Sequence, residues 1–368
     1  METKNRLLMF DFDTIIDRFH TDCIKYDRLK EEFGAADLLP MWVADMDFQA
    51  PPAVIEALQA YCQRGIFGYT FRSEEGIDAF RNWVKRRYGW HIEQTWISSS
   101  PGIVTALSIA VRALTKMGDK IQIMTPVYPP FYAVVKENGR ELVCSPLKRE
   151  QDKYVIDWEN FEAGLKSGVR LLILCNSHNP VGRVWTKEEL KSIGELCCRY
   201  DVLILSDEIH ADLALFENRH TVMASISDEI AERTLTMMAP SKTFNIAGMM
   251  NSVVVASNPE ILKRYNKELY SLHLDLGNIM GHVAMKAAYL HGEAWLKALL
   301  QYLESNIMLA MEYLRQQLPE VRVHCPEGSF LLWLDFNETG ISHEVCGERL
   351  LKRGKIALND GLSFGKEG

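Results

Sequence analysis

Four short stretches of this 368-residue chain carry residue types that handle protons and anions. An apolar run from Val169 to Leu174 ends in Cys175-Asn176-Ser177-His178-Asn179-Pro180-Val181-Gly182, and a second, Val202 to Leu205, ends in Ser206-Asp207-Glu208-Ile209-His210. A third, Thr234 to Met238, ends in Ala239-Pro240-Ser241-Lys242-Thr243-Phe244-Asn245. The fourth, Ser98-Ser99-Ser100-Pro101-Gly102, reads as a turn ahead of an apolar helical segment, Ile103 to Leu114. Each alone is ordinary: Asn-Pro and Pro-Val-Gly suit turns, a strand-end Asp caps the next element, and most lysines are solvated. Together they put a carboxylate, an amine, two amides and a helix N-terminus on one edge, which is what an anionic phosphate and a protonatable aromatic ring require.

That convergence needs a sheet whose strands all end on the same side. Between residues 96 and 257, short apolar runs (Lys120 to Met124, Val169 to Leu174, Val202 to Leu205, Thr234 to Met238, Ser252 to Ala256) alternate with helical patterns. Runs apolar at every position suit strands buried on both faces, hence a largely parallel sheet under helices, with ligands beyond the carboxyl ends of the strands. Thr186-Lys187-Glu188-Glu189 reads as a capping box; Leu190, Ile193, Leu196, Cys197 and Tyr200 then form one apolar stripe, a crossover helix. Pro101 is placed at the first turn of the apolar helix, and Lys85-Arg86-Arg87 before Gly89 at a helix end. After Gly292 the texture changes. A long amphipathic helix (Ala294 to about Leu318), Val321 to Val323, Ser329 to Phe336 and a helix near Val345 to Arg353 read as α+β.

Composition narrows the partners. With 49 acidic against 41 basic residues and a net charge of −8, no cation surplus is available for a phosphate backbone, so nucleic acid is not an expected partner. Apolar residues at 47% and charged residues at 24% suit a packed globular protein, and the length suits two domains. No apolar run reaches the roughly 18 residues of a membrane span, and the start from Met1 to Phe10 lacks a signal-peptide stretch; a cytoplasmic protein without a membrane partner is expected. Eight cysteines without Cys-x-x-Cys and ten histidines without His-Glu-x-x-His imply buried free thiols and no metal site.

Asn179-Pro180-x-Gly182, Asp207-Glu208 and Ser241-Lys242, in that order, resemble fold-type-I pyridoxal-phosphate enzymes of the aminotransferase class I/II superfamily. Four further motifs resemble its cystathionine β-lyase (C–S lyase, MalY/PatB) branch. They are Pro40-Met41-Trp42-Val43-Ala44-Asp45-Met46-Asp47-Phe48, Phe67-Gly68-Tyr69-Thr70, Asp207-Glu208-Ile209-His210-Ala211-Asp212 and Pro240-Ser241-Lys242-Thr243-Phe244-Asn245. The resemblance implies an α/β fold. A large pyridoxal-phosphate-binding domain (residues 49–289) would carry a mostly parallel seven-stranded sheet, and a smaller α+β domain would form from residues 1–48 and 290–368.

The resemblance also implies roles. Lys242 would bond the cofactor's aldehyde and later remove the substrate's Cα proton, Asp207 would pair with the pyridine nitrogen, and Asn179 would bond the phenolate oxygen. Tyr128 would stack on the ring, and the Gly102 and Ile103 amides, with Ser241, would grip the phosphate. Tyr69 would reach the partner's phosphate in a homodimer with shared active sites. His210 stands where transaminases place a Tyr, and so points to the lyase branch. Ala239 and Met250 replace a common phosphate-binding Ser and Arg. The implied activity is β-elimination of cystathionine or a related cysteine S-conjugate to thiol, pyruvate and ammonia, within methionine biosynthesis; transamination between an amino acid and a 2-oxo acid is the alternative. The family's carboxylate-clamping Arg follows a Phe-Gly stretch; Leu362-Ser363-Phe364-Gly365-Lys366-Glu367-Gly368 begins that approach and no residue matches the Arg. A low-turnover, cofactor-binding regulatory protein is therefore the third reading.

Overall fold

The computed structural model describes residues 10–151 and 153–367; the stretch before Phe10, read above for a leader, and Gly368 lie outside the described residues. Strand Thr234–Met238 is buried at every position and Val169–Cys175 at every position but Arg170, so they have almost no face to offer water and sit inside a sheet covered on both sides. That sheet has seven strands: β1 (Ile97–Ser100), β2 (Lys120–Thr125), β3 (Glu141–Pro146), β4 (Val169–Cys175), β5 (Leu203–Asp207), β6 (Thr234–Met238) and β7 (Ser252–Val255). Their order is β1-β7-β6-β5-β4-β2-β3, with β7 antiparallel to both neighbours and the other pairs parallel. The α/β fold with a mostly parallel seven-stranded sheet is thus as expected.

Two strands escaped the apolar pattern. Ser98 to Ser100, read as a turn, instead pair with Val254 to Ser252 as the edge strand β1, where polar side chains are tolerated because one side faces no further strand. Strand β3 is the opposite edge and is mostly exposed or half-buried, so it lacks the continuous apolar run of its inner neighbours.

The helices form where caps and stripes coincide. Helix α1 (Glu74–Tyr88) starts on Ser73, whose hydroxyl accepts the Gly76 N–H at 3.2 Å, and stops at Gly89 with φ 65°, after the basic run Lys85-Arg86-Arg87. Helix α2 (Ile103–Leu114) starts after Gly102, so Pro101 lies ahead of the first turn and not within it, contrary to expectation. Helix α3 (Lys187–Arg199) has the full Thr186/Glu189 capping box. The single turn α4 (Pro240–Thr243) follows β6, then come α5 (Ile279–His291) and α6 (Glu293–Gln317), and a last α-helix, His343–Lys352, stands near the expected Val345 to Arg353.

Helix α2 packs one sheet face with Tyr265 and Leu269, while Trp185 and α3's Leu190, Ile193 and Cys197 cover the other. Each such large buried side chain contributes about 1.5–3 kcal/mol. A third cluster joins Phe80 and Trp83 of α1 to Ala284 and Ala288 of α5 and to Trp295, Leu299 and Leu303 of α6. A separate small cluster holds Leu29, Leu38 and Ala357, where Leu39–Pro40 runs parallel to Ile356–Ala357.

The cysteines correct one expectation. All eight are free, yet only Cys175 and Cys197 are buried, whereas Cys62, Cys144 and Cys325 are exposed. Edge strand, helix surface and loop positions give these three no core to enter. Among the described residues, no helix is long and apolar enough to cross a membrane, and no group of three His, Cys, Asp or Glu could hold a metal ion.

Candidate active site

Sheet register explains why distant residues meet. Asp207 is the last residue of β5 and lies level with Cys175 of β4 and Met237 of β6. The Asn176–Asn179 loop and the Ala239–Lys242 turn therefore leave the same edge, one on either side of Asp207. The Asp207 side chain accepts the Ile209 N–H (3.1 Å), and it has no ion-pair partner among the described residues although only 4% of it is exposed. Burial pushes its carboxyl up to about 7; Glu208 adds to the rise and Lys242 opposes it.

Lys242 points its Nζ at the Ala44 carbonyl, 2.6 Å away. Burial lowers the pKa of this amine, with Asp45 and Asp207 acting in the other direction. His210 is buried with an unbonded Nδ1; burial, then the Lys242 charge, pull the imidazole down to about 3, so it is neutral at physiological pH. Asn179 is buried with an unbonded Oδ1, and its backbone carbonyl accepts the Tyr128 N–H at 3.1 Å, seating the tyrosine loop. Burial and the nearby Asp207 raise the Tyr128 phenol. Lys242, Asp207, Asn179, Tyr128 and His210 are thus gathered at one strand-end edge.

Buried polar atoms are normally paired. Here a carboxylate without a cation, an imidazole nitrogen and an amide oxygen are left over together, which fits a ligand that brings its own polar ring atoms. At the same edge, Gly102 caps α2 in extended backbone, without a side-chain hydrogen bond at the cap. Its first amides and dipole favour an anion there. Ser241 is half-buried beside Lys242. Tyr69 is 99% exposed and lines, with Pro101 and Met250, a surface cavity of about 610 Å³.

Four residues escaped the sequence reading. Ala44 acts through its carbonyl, which no side-chain pattern reveals. Asn245, at φ 55°, donates to the Met46 and Phe48 carbonyls (2.8 and 2.7 Å) and accepts the Met46 N–H (3.0 Å), which brings the 44–48 segment onto the lysine turn. Arg72 donates to the Ser98 and Ser252 carbonyls and to Asn251 Oδ1, all neutral, and burial pulls its guanidinium down to about 10. It therefore brings an uncompensated cation next to Asn251, one residue from Met250. Asp212 lay inside a quoted motif without a role. The signal for Asn245 and Asp212 was the motif itself; Arg72 had none.

The family model for aminotransferase class I and II matches residues 36–368. Cystathionine β-lyase PatB of Bacillus subtilis is 44% identical over 361 residues, covering 97% of this chain and 93% of PatB. The crystal structure of cystalysin from Treponema denticola, which contains pyridoxal 5′-phosphate, superposes with a TM-score of 0.95 at 34% identity, covering 98% of this chain and 92% of that one. The pyridoxal-phosphate-bound C–S lyase from Staphylococcus hominis gives 0.89 at 33% identity, covering 96% and 90%.

Proposed function

The chain belongs to the aminotransferase class I and II family, and from that membership we propose that it is a pyridoxal-phosphate-dependent β-lyase cleaving cystathionine or a related cysteine S-conjugate to a thiol, pyruvate and ammonia. The observation that carries the reading is the buried Asp207 carboxyl at a strand end, without an ion-pair partner among the described residues, and the desolvated Lys242 amine whose charge it feels.

The residues fit the cofactor. Asp207 would pair with the ring nitrogen, Asn179 and His210 would face the phenolic oxygen, and Tyr128 would lie against the ring face. The Gly102 and Ile103 amides with Ser241 would hold the phosphate, with Tyr69 from a second copy of the chain; Arg72 supplies positive charge where Met250 has none. When bound, pyridoxal phosphate supplies an electron sink for the charge that develops at the substrate Cα.

The chain's own groups do the rest. Desolvation lowers the Lys242 pKa from the ordinary lysine value, which favours the uncharged amine that would attack an aldehyde and afterwards accept the Cα proton. Neutral His210 leaves no second cation to compete for the phenolic oxygen. The Cβ–S bond then breaks with its electron pair leaving on sulfur, and water completes the conversion to pyruvate and ammonia.

The same reading places the two-part organisation at residues 49–289 and at 1–48 with 290–368, supported by the Leu39–Pro40 pairing to Ile356–Ala357 and the small cluster around Leu29. It also has the protein act as a cytoplasmic homodimer, within methionine biosynthesis when cystathionine is the substrate. The test is pyruvate release from cystathionine: Lys242→Ala should lose both the visible absorbance of the lysine-bound cofactor and turnover. Full lyase activity in that variant would overturn the assignment.

A further inference from the structure

We propose that Asp212 is a positioning residue for Lys242, a buried carboxylate that fixes the catalytic turn by holding Thr243. The inference rests on the β-lyase reading of Lys242.

Asp212 lies five positions after Asp207, in the short turn Ala211–Leu213, and is 5% exposed. Its Oδ2 accepts the Thr243 hydroxyl at 2.9 Å. The Trp83 indole N–H donates to Oδ1 at 3.0 Å, the Tyr88 hydroxyl donates to the same oxygen, and the Arg87 guanidinium lies 2.7 Å from it. A buried carboxylate needs such compensation, and α1 alone provides it with two donors and a cation. The Thr243 bond is the one contact of the network that points to the lysine. Thr243 is itself 1% exposed and directly follows Lys242.

The four-residue turn that carries Lys242 is too short to hold itself, because a single turn fixes many dihedrals for few bonds. Neighbours hold it instead. Phe244 is packed by Trp83, whose ring centre is 5.5 Å away, and Asn245 is tied to the 46–48 backbone. Asp212 supplies the hold on the residue between these and the lysine. An amine that must first attack a carbon and then collect a proton tolerates little displacement, and an error near 1 Å can cost on the order of a hundredfold in rate. Asp212 thereby links α1, through one carboxylate, to the placement of Nζ.

The test compares wild type with Thr243→Val, which removes the hydroxyl at nearly constant volume, Thr243→Ser, which keeps it, Asp212→Asn, and the Asp212→Asn/Thr243→Val double variant. Three quantities are read: kcat and KM on cystathionine, melting temperature, and, in cofactor-free protein, the pH profile of Lys242 arylation by fluorodinitrobenzene followed by peptide mass spectrometry. Thr243→Val should lower kcat about tenfold or more with KM within about twofold. Thr243→Ser should restore kcat, and the double variant should be no slower than the slower single. The midpoint of the arylation profile should move up in Thr243→Val as the amine leaves its desolvated seat. A Thr243→Val protein with kcat and arylation midpoint both unchanged, or a loss that Thr243→Ser does not rescue, overturns the proposal. Should wild type fail to turn over, the β-lyase reading falls, while the arylation profile still decides the role of Asp212.

Discussion

Asp207 is where burial and chemistry oppose each other most sharply. In the cofactor-free chain its carboxyl holds a proton up to about pH 7, whereas in the unfolded chain it releases it near 3.8. A native pKa raised in this way stabilises the fold below pH 4, and the stability is lost as pH rises from about 4 to 7, by an amount on the order of 4 kcal/mol at full ionisation. Asp207→Asn cannot ionise. The cofactor-free variant should therefore gain stability over cofactor-free wild type as pH increases from 5 to 8 in urea unfolding, and lose cofactor affinity because the ring nitrogen has no carboxylate. A stability difference that stays flat with pH would mean that the carboxyl is not desolvated. Residue type and motif order were enough to single out Lys242, Asp207 and Asn179, since each carries its chemistry in its side chain. Arg72 was not legible: its importance lies in having only neutral oxygens for partners, a property of its surroundings.

At the level of elements, what matters is how a one-turn helix is held against a segment nearly 200 residues away in sequence. Asn245 makes three bonds to Met46 and Phe48 and occupies left-handed backbone, which Asn tolerates better than Ala. Asn245→Ala should cost about 2–3 kcal/mol from the lost bonds, with added backbone strain, and should reduce turnover because the Ala44 carbonyl drifts from Lys242. Asn245→Gly should recover the strain component alone; urea midpoints and kcat measure both. If Asn245→Ala were as stable and as active as wild type, the 44–48 segment would not depend on this side chain. The inner strands and α3 could be read from the chain because continuous apolar runs and a capping box are local signals. Strand β1 could not, because three serines become a strand only by pairing with β7.

For the whole molecule, Tyr69 tests the assembly. It is almost fully exposed in a single chain and lines a surface cavity with Pro101 and Met250, and in the proposed homodimer it would reach the phosphate of a second copy. Mixing and reassembling two inactive variants, Lys242→Ala and Tyr69→Ala, should then restore about a quarter of wild-type activity, because half the dimers are mixed and each of those carries one intact site of two. No recovery would place Tyr69 outside the partner's site. The long helix after Gly292 was legible from its amphipathic pattern and is present as Glu293–Gln317; the pairing of Leu39–Pro40 with Ile356–Ala357 was not, since two-residue strands leave no periodic signal.

The central claim is β-elimination. Its most direct test is to incubate the loaded protein with excess cystathionine and no 2-oxo acid acceptor, following pyruvate and the visible spectrum together. Many equivalents of pyruvate per site, with the cofactor remaining in its aldehyde form and Lys242→Ala silent, is the result expected. Contradiction would be at most one equivalent of an oxo acid per site, with the cofactor recovered in its amine form, which is the outcome of a transaminase.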